Sequence, residues 1–151
     1  MQLTSSAFAS GARLPERHAC TGAGVSPPLA WAYLPAETVS LALIVDDPNA
    51  PGGVFAHWVV YDLPPMPGRL EEGAGAEEPG PPGAIQGRND YGRLGYGAPC
   101  PPRGEAHTYF FRLYALDTRL DLPPGATRAQ VLDAMRGQIL AQTEMQAEYR
   151  R

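Results

Sequence analysis

Apolar positions along this chain gather in short runs, separated by breaks rich in proline and glycine. Residues 39–45 are almost unbroken apolar and partly β-branched, the pattern of a strand buried on both faces. Residues 54–63 form the next strand. Period-two counting sets Phe55, His57, Val59 and Tyr61 on one face, and Ala56, Trp58 and Val60 on the other. The clearest strand is 107–117, with His107, Tyr109, Phe111, Leu113 and Ala115 sharing a face, and a shorter one is expected over 29–33. Residues 1–28 read as irregular, and 64–83 as a surface excursion without periodicity. Near the end, Thr127 followed by Gln130 gives a capping-box signal. Val131, Leu132, Met135, Ile139 and Leu140 then recur at helical spacing, with Gly137 read as a point of close packing against the sheet. Several strands, one terminal helix and no βαβ alternation predict a mainly β protein, a sandwich of antiparallel sheets with a C-terminal α-helix.

Length and composition narrow the class. A chain of 151 residues fits one domain, 1–151, and can bury roughly two thirds of its unfolded surface. At 44% apolar and 19% charged it reads as an ordinary globular protein. Gly and Pro number 17 each but lie between apolar runs, which implies many turns rather than disorder. Net charge is −4 and the twelve basic residues are scattered, so no basic face for nucleic acid is expected. No stretch approaches the ~20 apolar residues of a membrane span. The first residues lack the basic and apolar regions of a signal peptide, so the expected location is cytoplasmic. Cys20 and Cys100 lack metal-type spacing; two buried free thiols are expected, with a single disulfide as the alternative.

The candidate chemistry sits in two segments about fifty residues apart. One is D-D-P-N-A-P at 46–51 followed by A-H-W at 56–58; the other is G-Y-G-A-P-C-P-P-R-G-E-A-H-T-Y at 95–109. Each places a histidine in a strand just after a proline-bent loop. Asp47, His57, His107 and Tyr109 can then surround one small cavity suited to an oxyanion. Both histidines can donate and carry partial charge near their ordinary pKa of about 6.5. Tyr109 adds a phenol, and Asp47 orients a histidine or accepts from a ligand. A single histidine in an apolar strand is more often a hydrogen-bonded core residue, and Asp47 alone could cap the turn at Pro48 and Asn49. The repetition of the pattern favours a site. His18 has no such context and reads as structural or exposed. No metal site is expected, since no H-x-H or H-x-x-x-H spacing is present. No G-x-S-x-G elbow, P-loop or dinucleotide fingerprint appears either.

At these residues the chain resembles the phosphatidylethanolamine-binding protein family, in its bacterial Raf-kinase-inhibitor-like branch. The likeness runs through C-T-G-A-G-V-S-P-P-L-A-W (20–31), D-D-P-N-A-P, H-W-V-V (57–60), Q-G-R-N-D-Y-G (86–92) and G-Y-G-A-P-C-P-P-R-G (95–104). It implies a Greek-key β-sandwich with a C-terminal helix near the pocket, and an anion site at Asp47, His57, Pro102, His107 and Tyr109. Asn49, Ala98, Thr108, Gln138 and Gln146 depart from the family's usual residues, the last two on the expected helix.

The expected function is therefore binding of a small anion, a phosphate or phosphoethanolamine head group, in a regulatory and non-catalytic role without a cofactor. The resemblance also implies a possible protein partner, a kinase or protease that the chain would inhibit. A hydrolase using His57 or His107 as general base is the remaining alternative. A monomer or homodimer fits either role.

Overall fold

A computed structural model describes residues 1–151. The strands are β1 (Gln2–Thr4), β2 (Leu29–Ala32), β3 (Ser40–Asp47), β4 (Phe55–Leu63), β5 (Arg69–Leu70), β6 (Ile85–Gln86), β7 (Ala106–Leu116) and β8 (Ile139–Arg150). One helix, α1, spans Arg128–Ala134. Two antiparallel sheets form, a small one ordered β1-β2-β5 and a large one ordered β6-β4-β3-β7-β8. The chain is thus mainly β, as its apolar patterning predicts.

The alternation along β3 explains the layering. Leu41, Leu43 and Val45 point into the core between the sheets, where they meet Leu3, Leu29, Trp31 and Leu70 of the small sheet. Ala42 and Ile44 point the other way, into a second core closed by Val131 and Met135 of α1. The next two residues continue the alternation as carboxylates. Asp46, fully buried on the helix side, accepts from Arg112 of β7 (3.3 Å) and Arg128 of α1 (3.1 Å). Asp47 falls on the inter-sheet side.

In β4 the simple period-two reading fails, for a local reason. Val45 pairs with Trp58 but Asp46 pairs with Ala56, which leaves His57 as the extra residue of a β-bulge. The faces therefore switch at this point. Trp58 and Val60 enter the inter-sheet core, whereas Ala56, Val59 and Tyr61 enter the helix-side core.

The end of the chain also differs from the sequence reading. The capping box forms as expected, with Thr127 Oγ1 accepting from Gln130 N and Gln130 Oε1 accepting from Thr127 N. The helix stops after Ala134, however, because Gly137 adopts φ +75°, a left-handed turn with nothing within 4 Å of where a Cβ would stand. It ends the helix and does not pack against the sheet. Residues 139–150 then run as a strand paired with β7 along its length. Met145, Ala147 and Tyr149 face the core at period two, and Ile139 and Leu140 are exposed rather than part of a helical stripe. The large sheet, not a terminal helix, closes the chain.

Two segments read as irregular also contribute strands. Residues 2–4 pair with β2, and the 64–83 excursion supplies β5, whose two residues are too few to show a period. Further along the first segment, Gly11 N donates to Gln146 O and Leu14 N to Glu148 O, so this stretch covers the outer edge of β8. His18 is buried, and its Nδ1–H donates to Val25 O at 2.8 Å, a structural role.

Candidate anion site

Strand order brings the candidate residues together. In the large sheet β3 lies between β4 and β7, both antiparallel to it, so the end of β3 meets the starts of the other two. Asp47 closes β3, Phe55 and His57 open β4, and His107 and Tyr109 open β7. These five, with Ala50, Pro51, Tyr91 and the 100–102 stretch, line a cavity of about 230 Å³. It suits a small ligand, being below the usual range for drug-sized ones. The five residues expected from the sequence, Asp47, His57, Pro102, His107 and Tyr109, all stand on its wall.

The bulge aims His57. On an even ladder it would share a face with Val59 and point toward the helix layer; the extra residue turns it into the cavity. The backbone freed by the bulge is paired by the 87–97 loop, which acts in place of a neighbouring strand. Ala56 N donates to Asp90 Oδ2 (2.7 Å), Asp90 N to Ala56 O (2.8 Å) and Gly97 N to His57 O (2.7 Å). The loop keeps its shape through Asn89, whose Nδ2 donates to Gly95 O and whose Oδ1 accepts from Tyr91 N and Arg93 N. Gly97 is required by close approach, since a Cβ there would stand 2.4 Å from the Tyr91 ring.

The two histidines are held in different states. His57 Nδ1 lies 2.7 Å from Gly97 O. A carbonyl only accepts, so Nδ1 carries the hydrogen, and burial holds the pKa below the ordinary value. His107 Nδ1–H donates to Asp47 Oδ2 at 2.6 Å, and that hydrogen bond raises its pKa. The other oxygen of Asp47 accepts from Asn49 N, which also makes the turn that the sequence suggested. Asp47 is therefore both a turn cap and the partner of His107. Tyr109 is almost wholly buried, and burial raises its pKa, which keeps the phenol protonated. Its hydroxyl bonds to no protein group, and no buried side-chain polar atom lacks a partner, so the hydroxyl opens on the cavity. His57 Nε2 does so on the same argument.

The sequence reasoning passed over two wall residues. Phe55 and Tyr91 pack edge to face at 4.8 Å, and Tyr91 lies 5.8 Å from His57, centroid to centroid. The Tyr91 hydroxyl donates to Ala98 O. Its place in the 86–92 motif was the available signal. Conversely, Asn49, Ala98, Gln138 and Gln146 are not on the wall, and no helical residue is.

Cys20 and Cys100 form a disulfide, with Cα atoms 5.3 Å apart, and are not the free thiols expected. Both are exposed, and Cys20 N also donates to Pro99 O, so the 99–102 wall is tied to the 19–22 turn. Spacing along the sequence gave no sign of this, because the pair is 80 residues apart.

A larger cavity of about 400 Å³ lies beneath the 63–82 segment. Its charged lining, Arg69, Glu71 and Glu72, is exposed or half-exposed and already ion-paired, Glu72 with Arg17. It lacks the converging buried polar groups of the smaller one, which is the candidate site for that reason.

With this geometry in hand, comparison with known proteins is direct. The chain belongs to the phosphatidylethanolamine-binding protein family, whose sequence profile it matches over residues 4–150. It is 50% identical to a UPF0098 protein of Methanothermobacter thermautotrophicus, covering all of this chain and 99% of that one. A UPF0098 protein of Chlamydia muridarum is 45% identical, over 99% of this chain and 98% of its own. Among solved structures, a phosphatidylethanolamine-binding protein homologue from Chlamydia trachomatis superposes with a TM-score of 0.91 at 42% identity, covering 99% and 97% of the two chains. E. coli YbcL, described as a member of the mammalian family, gives 0.92 at 34% identity, covering 99% and 98%.

Proposed function

We propose that this protein is a receptor for a small phosphate-type anion, a phosphorylated small molecule or a phosphoethanolamine head group, acting in regulation rather than catalysis. The observation that carries this reading is the pair of unlike histidines on one wall. His107, held toward its charged form by Asp47, has its Nε2–H to offer, in competition with the exposed carboxylate of Glu105 3.6 Å away; His57 and Tyr109 line the same cavity with free polar atoms. The family's name, with its phospholipid ligand, supports the same class of ligand.

A receptor suits the wall better than an enzyme does. It holds no serine, threonine or lysine, its one cysteine is in a disulfide, both oxygens of Asp47 are hydrogen-bonded and burial keeps the phenols protonated, which leaves only a histidine or water as a nucleophile. No turnover is expected across a panel of phosphoesters. A kinase or protease partner would meet the same rim and remains the second reading. No helix is long and apolar enough to cross a membrane. Disulfides persist in oxidising compartments and in the cells of hyperthermophiles. The cross-link therefore weighs against the cytoplasmic placement expected from the sequence.

The test is calorimetric titration of O-phosphoethanolamine and inorganic phosphate at about pH 6 and pH 8, with His107→Ala alongside. Saturable binding is expected, weaker at the higher pH as His107 loses its charge, and absent in the variant. Binding undiminished in His107→Ala would overturn the reading.

A further inference from the structure

The lock on the His57 tautomer has a consequence for which anions fit. Nδ1–H is committed to Gly97 O, so the neutral ring presents a lone pair at Nε2, toward the cavity. The opposite tautomer would set a nitrogen lone pair against a carbonyl oxygen at 2.7 Å and is excluded. His57 thus offers the ligand an acceptor, while His107 in the same cavity offers a donor. An oxyanion without hydrogen would set its own lone pair against Nε2. One that keeps a hydroxyl can donate it there.

We propose that His57 makes the cavity selective for oxyanions that carry their own proton, hydrogen phosphate and singly protonated phosphomonoesters, over sulfate and phosphodiesters. The proposal rests on the anion-receptor reading above and specifies its ligand class. The titratable neighbours of His57 are Asp46 and Asp47 on β3, Asp90 and Tyr91 on the loop, and His107 and Tyr109 on β7. The carboxylates favour a charged ring, but burial outweighs them, and the ring stays neutral near neutrality. Pro101 and Pro102, also on the cavity wall, have no N–H to offer an aprotic anion. The shared chemistry, a phosphate with a P–OH, separates two sources. A free phosphomonoester has it in its singly protonated form, with a pKa near 6; the phosphate of a lipid that carries an ethanolamine head group is a diester and has none at neutral pH.

The decisive experiment needs only the wild-type protein. At about pH 7 every inorganic phosphate ion holds at least one proton and sulfate holds none, while sulfate carries at least as much charge. Competitive calorimetry should show phosphate binding about tenfold or more tighter, the worth of one hydrogen bond gained against one repulsive contact. Dimethyl phosphate should behave like sulfate, and O-phosphoethanolamine like phosphate at about pH 6. Nitrogen NMR of the histidines gives an independent readout. His57 Nε2 should appear as an unprotonated nitrogen that shifts on adding phosphate and not on adding sulfate. Equal affinity for phosphate and sulfate, or an Nε2–H tautomer in the spectrum, would overturn the proposal and leave the receptor standing. No saturable binding of any of these anions would sink the receptor reading and the proposal together.

Discussion

Asp47 sets the charge of His107 from 60 residues away along the chain. Because the hydrogen bond raises the histidine's pKa, His107 stays protonated above the ordinary value of about 6.5. The sign of the linked stability follows. The stabilisation is complete below the unfolded pKa and fades as pH rises through the higher folded one. Asp47→Asn keeps an oxygen for Asn49 N but loses the charge. In that variant the His107 titration, followed by proton NMR, should move to lower pH and the fall in anion affinity should move with it. An unmoved His107 titration would show that Asp47 does not govern it. That Asp47 orients a histidine is an expectation from the sequence; which histidine, and with what geometry, could not be read from it. The sequence showed which residue types could meet, but Asp47 and His107 touch only because β3 and β7 are neighbours in the sheet.

At the scale of elements, the strands with strong apolar patterns were legible nearly to their ends, and the exceptions have local causes. Period two cannot see a bulge, because one additional residue shifts every face beyond it, as His57 does for Trp58. The helix extended too far on paper because Ile139 and Leu140 happen to continue a stripe that begins at Val131. The alternation from Ala141 to Tyr149 is the signal that should have outweighed it. Gly137 decides the boundary and offers a test. With open space around it, Gly137→Ala should cost about 1 kcal/mol from the left-handed backbone alone. Gly137→Asn, which tolerates that conformation, should cost less in the same denaturant titration. Equal and larger losses in both would mean that the position is packed after all.

Over the whole molecule, two cores share one sheet, and the cross-link from Cys20 to Cys100 fastens the cavity's outer wall to the opening segment. Closing a loop of this length restricts the unfolded chain strongly. Cys100→Ser should lower unfolding stability by roughly 4 kcal/mol, with reductant lowering the wild type similarly and leaving the variant unchanged. Chemical denaturation with and without dithiothreitol measures both; a reductant-insensitive wild type would mean that the bond does not form in solution. The alternation of Asp46 and Asp47 reaches furthest of all. Adjacent in sequence, they serve opposite layers, one bound to Arg112 and Arg128 beneath the helix and the other to His107 at the cavity. In the course of descent, the helix layer can therefore drift, exchange its ion pairs or take insertions while the ligand chemistry stays under separate selection. A shift of one residue in β3 would trade the two roles and cost both, so length is the property of this strand that inheritance can least afford to vary.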